Sequence, residues 1–544
     1  MKFLKHIRSR SRNLNGAGKD SKDARHSPKA SRSPPRYGNN LTKRLPRDVL
    51  TQIFAQVCPH SQDDSYNSSE ESMTEDGCML CDMRDLAHCA LACKRWLSCA
   101  QPLLYQHVRI DSVHYCELEV ELAAKRKRRS RFDRNGEAID APKIRLELFM
   151  RTVRENQELA NMVLSLRTPY MTREASKAEL ARTVSVLPNL RYVDLPAGLY
   201  SDEISSHTLK QELMARCMDI RRMRYAHGSE GSFSRIPGSR LWMSLEVLEL
   251  SRLQVEPSTL RWVLNSFPML RDLKMEDIPW LDDTIFATAP SVPLFPPVQR
   301  LTLEHIPNVT ASGLATYLSM PQNREALTHL TVSSTGILPQ SLHVILSAAP
   351  YLQTLSIIQE MSRPFPMEDV SPLSSKSLRL LHYEITYAGC VSGHASTATS
   401  YYTYLISSLM SNCLPALRDL YVRDAGFPDT LLLSPPPRLF GGGENGPQMF
   451  SMGLNQPLNI YSKGMDELKW NFTPYEPPTT RGRRDSTTRP VSFHGAQLSP
   501  SWGGQARRSV LVGNGFGGYL AVPTDDGRPK SSGGFKHEKQ DLWR

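Results

Sequence analysis

Cysteine is scarce in this sequence, which has 10 cysteines among 544 residues. So few cysteines exclude a disulfide scaffold, and a reducing compartment would keep them as thiols. No apolar run approaches the roughly 18 residues that a membrane span needs. The first 12 residues carry too many Lys and Arg for a secretory signal, and their mixed apolar and basic pattern leaves a mitochondrial presequence as an alternative. We therefore expect a protein of the nucleus, the cytoplasm or both, with no membrane partner.

Catalytic motifs are also missing. The sequence contains no G-x-S-x-G, no H-E-x-x-H and no P-loop, and its 15 His do not cluster with a nucleophile and an acid. Residues 513–518 match the letters of the dinucleotide motif G-x-G-x-x-G, but a strand-like segment follows them where that motif requires a helix. A β-hairpin with a glycine-rich turn fits this segment better. We expect no enzymatic activity, no catalytic residue and no cofactor.

The positive charge is concentrated at one end of the chain. The net charge is +11, and residues 1–40 hold 11 Lys or Arg against two Asp, which accounts for +9 of it. This segment is predicted to be a disordered basic arm, with nucleic-acid contact as the less favoured alternative. From residue 428 onward, 17 Gly and 13 Pro occur in 117 residues. The folded body is therefore predicted to end near residue 427.

Two helical patterns lie close together after the basic arm. In the first, the apolar residues recur at positions 45, 49, 50, 53, 54 and 57, and Pro46 suits the first turn of a helix. The second runs over 85–99 with its own apolar set. Between them lies an acidic, Ser-rich stretch over 63–76, which is too polar to be expected in a core.

This helix pair resembles the F-box family. The resemblance is carried by the opening Leu45-Pro46, by the segment Leu-Ala-Cys-Lys-Arg-Trp at 91–96 and by the apolar, aromatic end at 103–105. The F-box-like module is assigned to residues 41–110, and it departs from the family by an acidic insertion at 58–84. The resemblance implies docking on the Skp adaptor of a cullin-RING ubiquitin ligase through apolar helix faces. The expected adaptor contacts are Leu45, Pro46, Leu50, Ile53, Phe54 and Trp96, whereas Val49 and Leu91 are assigned to the core.

A metal clip is the alternative use of the same region. Cys78 and Cys81 have the spacing of zinc ligands, and Cys89 and Cys93 follow on one face of the second helix. The F-box pattern already uses Cys89 and Cys93 as small buried residues. We therefore expect no metal ligand, with zinc held by these four cysteines as the open alternative.

A short pattern, apolar-x-x-apolar-x-apolar, recurs through the middle of the chain. Eight of the nine intervals between its central positions are 25–30 residues long. The central positions are Leu164, Val193, Met223, Leu248, Leu273, Leu301, Leu330, Leu355, Leu381 and Leu420. Such a period predicts a solenoid of short strands and returning helices and resembles leucine-rich repeats, although Leu253, Ile278, Ile306 and Thr335 stand where the common repeat has Asn or Cys.

The predicted organisation is an α/β chain: a small helical F-box module is followed by an irregular leucine-rich-repeat solenoid over 145–427. A charged linker at 111–144 contains the basic run 125–131, which is either a nuclear import signal or a solvated segment. The 428–544 tail is predicted to be partly disordered, with possible capping strands at 468–472 and 509–522.

One residue of each predicted strand points away from the solenoid core, because side chains alternate along a strand. These residues are predicted to form a concave, target-binding face: Asp194, Arg224, Glu249, Lys274, Thr302, Thr331, Ser356, His382 and Tyr421. The expected function is substrate recognition in a Skp-cullin-F-box (SCF) ubiquitin ligase, with a protein substrate on this face. A leucine-rich-repeat scaffold or nuclear adaptor without a ligase is the alternative.

Overall fold

The computed structural model of the chain describes residues 45–72, 78–112, 114–129, 140–366, 370–387, 395–433, 454–477, 509–513 and 519–523. The predicted basic arm lies outside these residues, as do most of the predicted tail and the end of the basic run at 125–131. The chain divides into two units, residues 1–477 and 478–544. No helix among the described residues combines the length and the apolar character needed to cross a membrane.

Three helices pack together at the start of the first unit: α1 (Arg47–Ala55), α2 (Met79–Ala92) and α3 (Lys94–Tyr105), with a 3-10 turn at Pro59–Gln62. The second predicted helix is two helices, because Cys93 adopts an extended conformation between them. Its sulfur accepts a hydrogen bond from the amide of Trp96 and so caps α3. The core of the module is made of Leu50, Phe54, Ala55, Cys58, Leu86, Ala90, Cys99, Ala100 and Leu103.

The solenoid is built on parallel strands. A three-stranded sheet comes first: β1 (His107–Arg109), β2 (Ser165–Arg167) and β3 (Tyr192–Val193). A ten-stranded sheet follows, of which nine strands are parallel: β4 (Arg222–Ala226), β5 (Val247–Ser251), β6 (Asp272–Glu276), β7 (Arg300–Glu304), β8 (His329–Ser333), β9 (Thr354–Met361), β10 (Leu380–Tyr387), β11 (Asp419–Val422) and β12 (Leu458–Ser462). Its last strand, β13 (Asn471–Tyr475), pairs antiparallel with β12.

The helices of the first unit fill the intervals between strands. They are α4 (Glu117–Arg129), α5 (Ala141–Glu155), α6 (Gln157–Ala160), α7 (Tyr170–Ala175), α8 (Lys177–Val184), α9 (Ala197–Tyr200), α10 (His207–Arg216), α11 (Glu230–Ser234), α12 (Ile236–Ser239), α13 (Pro257–Asn265), α14 (Ala311–Ser319), α15 (Pro321–Ala326), α16 (Leu342–Ala348), α17 (Ala395–Met410) and α18 (Phe427–Leu433), with further 3-10 turns at Ile204–Ser206, Asp283–Phe286 and Pro339–Ser341. Helices α13 and α16 end shortly before Pro268 and Pro350, since the residue before a proline disfavours helical geometry.

The central positions of the repeats stack in register. Met223 pairs with Leu248, and the same row continues strand by strand to Leu420, each side chain almost fully buried. Leu166 is the central residue of β2, since it pairs with Val193, so the assignment of Leu164 to this position is wrong. Val108 of β1 extends the row to a strand that directly follows the helical module.

The missing Asn or Cys of the repeats has a structural substitute. After each of β5 to β8 the chain turns through one residue with φ between 50 and 54°: Arg252, Asp277, His305 and Ser334. The amide of each donates to a carbonyl oxygen of the next strand at 2.9–3.0 Å. The following side chain points into the core, and these are Leu253, Ile278, Ile306 and Thr335. Backbone hydrogen bonds and side-chain packing therefore close these turns, and after β8 the amide of Thr335 also donates to the side-chain oxygen of Gln359 at 3.2 Å.

The sheet continues beyond the predicted end at residue 427. Ile460 of β12 pairs with Leu420, which places it in the central row. The predicted strand at 468–472 is β13, shifted to Asn471–Tyr475. The long interval between β10 and β11 holds helix α17, which begins at Ala395 and buries Tyr401, Tyr402 and Tyr404.

The β-hairpin predicted in the second unit is confirmed. Strands β14 (Ser509–Gly513) and β15 (Tyr519–Pro523) pair antiparallel as a hairpin. The glycine-rich turn between them lies outside the described residues. A hairpin at this position lacks the helix that a dinucleotide-binding motif requires.

Candidate protein-interaction surfaces

Helix α1 has a buried face and an exposed face. Leu50 and Phe54 are 2% and 3% exposed and form the core with α3, whereas Val49 and Ile53 are 41% and 48% exposed. Val49 and Ile53 are four residues apart and therefore neighbours on one helix face. Leu50 and Phe54 are thus unavailable as adaptor contacts, and the assignment of Val49 to the core is wrong. The core assignment of Leu91 is also wrong, since this residue is 49% exposed.

The remaining residues assigned to the adaptor surface lie at the edge of the module core. Leu45 and Trp96 are half-buried against it, and Pro46 is exposed. The ring of Trp96 meets that of Phe54 edge to face at a centroid distance of 5.1 Å. The carbonyl oxygen of Leu45 accepts a hydrogen bond from the guanidinium of Arg95, which ties the start of α1 to α3.

The predicted concave residues form a single row on the ten-stranded sheet. Arg224 pairs with Glu249, and the row continues in register to Tyr421 and then Tyr461. Arg224 is exposed, and Glu249, Lys274, Thr302, Thr331, His382 and Tyr421 are partly exposed. Ser356 is 8% exposed, and its hydroxyl lies 3.1 Å from Nδ1 of His382.

The face begins with three charged residues, of which the sequence pattern included only Asp194. Arg109 and Arg167 are register partners on β1 and β2, and Asp194 follows β3 at the equivalent position. An acidic part of the insertion, residues 63–72, covers these three side chains, and we call it the strap. Asp194 is 4% exposed and therefore cannot contact a target, which corrects its assignment.

Arg167 is the main anchor of the strap. It is 1% exposed, and its guanidinium donates to the backbone carbonyl oxygens of Asp63, Ser65 and Asn67. It also forms an ion pair with the Asp63 carboxylate at 3.3 Å. A polar loop can pack against a sheet in this way because its backbone carbonyl oxygens find hydrogen-bond donors there.

Arg109 and Asp194 bind the C-terminal end of the strap. Arg109 donates to the carbonyl oxygens of Ser69 and Ser72. The amides of Ser69 and Thr168 donate to Asp194 at 3.1 and 3.0 Å, and the Tyr192 hydroxyl donates to its other oxygen at 2.7 Å. Burial raises the pKa of Asp194, against the effect of these donors. Residues 63–72 therefore lie against the sheet, while the side chains of Asp64, Asn67, Glu70 and Glu71 remain exposed, as expected of a stretch too polar for a core.

The opposite end of the face carries an aromatic patch: His382, Tyr421, Tyr461, Trp470 and Phe472. The rings of Tyr421 and Tyr461 stack at 4.4 Å, and Trp470 meets Tyr421 edge to face at 5.2 Å. Phe472 is 56% exposed. Three of the five residues were missed from the sequence, because Ser462 stands at the register position of Val422 and the strand pattern is therefore incomplete around Ile460.

A network of ion pairs centred on Glu384 lies next to this patch. The Glu384 carboxylate is 7% exposed and lies 3.0 Å from Nε2 of His382, 2.7 Å from Arg423 and 3.4 Å from Lys463. Burial by itself would raise the pKa of Glu384, but Lys463, His382 and Arg423 hold it below its usual range. Burial lowers the pKa of His382, although Glu384 opposes this shift.

Glu384→Gln is expected to destabilise the protein by about 1–3 kcal/mol at neutral pH, because charge-assisted hydrogen bonds are lost. The folded pKa of Glu384 is lowered, so its contribution is full above the unfolded pKa and disappears as pH falls through the folded value. Urea unfolding of wild type and variant between pH 3 and pH 7 measures this difference. A stability gap that stays constant across this range would contradict the role of the ionised carboxylate.

Three cysteine sulfurs meet at the end of the insertion. The Sγ atoms of Cys78, Cys81 and Cys116 lie within 4.8 Å of one another, and all three residues are partly exposed. Nδ1 of His114 is 3.8 Å from the Cys78 sulfur. Cys89, which the alternative metal clip requires, packs instead against the helical core.

The helical module matches a known family. The F-box-like family model matches residues 42–111. No curated protein matches the chain. The solved structure of the Rad7 and Elc1 complex in yeast has a TM-score of 0.35 and 13% identity, covering 51% of this chain and 67% of that one. The leucine-rich repeat-containing protein LegL7 from Legionella pneumophila has a TM-score of 0.25 and 14% identity, covering 58% and 81%. Such values identify no function for this chain.

The fold defines a class of protein in which a small helical module precedes a parallel-sheet repeat solenoid. In this chain residues 42–111 are an F-box-like domain, and the strands that follow form an irregular leucine-rich-repeat array.

Proposed function

We propose that this protein is the substrate-recognition subunit of an SCF-type ubiquitin ligase. The observation that carries the proposal is the exposed apolar face of α1 in a domain that matches the F-box-like family. F-box domains bind Skp-type adaptors, and Val49 and Ile53 offer such a partner apolar area that the module does not use for its own core. The proposal replaces Leu50 and Phe54 by Val49 and Ile53 as adaptor contacts.

The concave face from Arg224 to Phe472 is the proposed target surface. Aromatic residues and arginine dominate the binding energy of many interfaces, and the aromatic patch is therefore the proposed centre of target contact. The strap covers the start of the face, so a target would bind toward its C-terminal end. The chain itself contributes no catalytic group in this proposal. It raises the effective concentration of the target near the ubiquitin-charged enzyme, in the nucleus or the cytoplasm.

The double variant Val49→Asp, Ile53→Asp is expected to weaken binding to a purified Skp-type adaptor by more than about a hundredfold, or about 3 kcal/mol. Two carboxylates in an apolar contact lose hydration without gaining a partner. Titration calorimetry with wild type and variant measures the change. Ile204→Asp is the matched control, because Ile204 is 93% exposed on the solenoid and should leave adaptor binding unchanged.

Two results would contradict the proposal. Wild-type protein that does not bind the adaptor would exclude the ligase function and favour the alternative of a repeat scaffold or nuclear adaptor. Equal binding by wild type and the double variant would exclude the α1 face as the contact.

A further inference from the structure

Three partly exposed cysteines at the end of the insertion are set apart by the convergence of their sulfurs. Cys58, Cys99 and Cys217 are 0–1% exposed, as expected of small apolar core residues. Cys78, Cys81 and Cys116 are partly exposed and belong to neither hydrophobic core cluster, so core packing does not account for them. They come from two separate parts of the chain, and their sulfurs still converge within 4.8 Å.

Local backbone structure brings the three sulfurs together. The carbonyl oxygen of Cys78 accepts hydrogen bonds from the amides of Cys81 and Asp82, so Cys78 opens α2. Cys116 opens α4 in the same way, through the amides of Glu119 and Val120. The first turns of the two helices therefore point their cysteines at one place.

The geometry is close to that of a tetrahedral metal site. A zinc ion with Zn–S bonds of about 2.3 Å holds its sulfurs roughly 3.8 Å apart. The three sulfurs lie within 4.8 Å of one another, which is close to that spacing. His114 is the nearby candidate for a fourth donor, since its Nδ1 is 3.8 Å from the Cys78 sulfur. Three thiolates and one imidazole are a ligand set that zinc prefers.

We propose that Cys78, Cys81, His114 and Cys116 form a structural zinc site. Four protein donors leave no open position for a substrate, so the site is structural. It joins the start of α2, in the F-box-like domain, to the segment that leaves β1 of the solenoid. The Ile110 amide donates to the carbonyl oxygen of Arg167, so this segment is fixed to the solenoid. Zinc would thus fasten the domain to the repeats.

A second group of possible metal ligands is a weaker candidate for a zinc site. Ligand atoms of Cys58, His60 and Asp82 also lie within 4.8 Å of one another. Cys58 and His60 are buried beside the helical core, and this group offers a single thiolate. The two groups can be told apart because they share no residue.

The test is the zinc content of the full-length protein, purified under reducing conditions without chelator and measured by mass spectrometry of the metal. We expect about one zinc ion per chain. Cys81→Ser and Cys116→Ser are expected to retain less than about a tenth of it, whereas the matched control Cys89→Ser keeps it. Chelation of the wild type should lower its melting temperature, because bound metal stabilises the folded state.

His114→Cys keeps the test informative if the serine variants do not fold. This variant converts the site to four thiolates, and we expect it to retain zinc. After replacement of zinc by cobalt, it should show stronger sulfur-to-metal charge-transfer absorption than the wild type. Wild-type protein that holds neither zinc nor cobalt overturns the proposal. So does zinc that is retained in Cys116→Ser but lost in Cys89→Ser or Cys58→Ser, or a disulfide between two of the three cysteines.

Discussion

Arg167→Met is expected to lower the free energy of unfolding by about 3–5 kcal/mol, because it breaks a buried ion pair by removing one partner. Arg167 is 1% exposed, and its guanidinium is the donor for three strap carbonyl oxygens as well as the partner of Asp63. Methionine has a similar length but no donor. The carbonyl oxygens would then have to remain unsatisfied or leave the sheet with the strap. Urea unfolding followed by tryptophan fluorescence measures the loss.

The matched control is Arg252→Met. Arg252 also pairs with an aspartate at 3.0 Å, but its side chain is 72% exposed, so the change should be within about 0.5 kcal/mol. Limited proteolysis adds a local readout, since a released strap should be cut faster in the Arg167 variant. Equal unfolding free energies for the two variants would show that the strap does not depend on Arg167.

Phe54→Ala is expected to destabilise the F-box-like domain by about 3–5 kcal/mol, as for other large-to-small substitutions in a core. Phe54 is 3% exposed and loses its edge-to-face contact with Trp96. Ile53→Ala, one residue away, should cost less than about 1 kcal/mol because Ile53 is 48% exposed. Thermal unfolding of the two single variants gives both values.

Adaptor affinity of folded protein should follow the opposite order. Ile53→Ala is expected to weaken adaptor binding more than Phe54→Ala, provided that both are measured well below their unfolding temperatures. If Ile53→Ala proves the more destabilising variant, the orientation of α1 described here is wrong.

The strand pattern of the solenoid could be read from the sequence with good accuracy. Met223 to Leu420 occupy the central row as predicted, because a buried apolar residue on both sides of a polar one recurs in every strand. The errors in the strand prediction lie at the two ends of the repeat array. At Leu164 a neighbouring leucine gave the same pattern two residues out of register, and β12 was hidden behind a Gly- and Pro-rich segment.

The candidate surfaces were harder to predict than the strands. Helical spacing identifies Val49, Leu50, Ile53 and Phe54 as apolar, but it does not say which pair faces the core. That choice depends on where α3 packs, which is 40 or more residues away in the chain. The same holds for the proposed zinc site. Cys78 and Cys81 were recognisable by their spacing, whereas Cys116 and His114, which precede α4, were not.

The sequence by itself determined the two modules and the period of the repeats, because both depend on apolar residues at short, regular spacing. Only the tertiary structure decided that an acidic loop covers Arg109, Arg167 and Asp194 at the start of the sheet face. It also decided that the sulfur of Cys116 converges with those of Cys78 and Cys81. Both are contacts between polar groups far apart in the chain, such as Arg167 with Asp63 and Cys78 with Cys116. Such contacts have no periodicity in sequence, and their free energy depends on burial that only the folded chain creates.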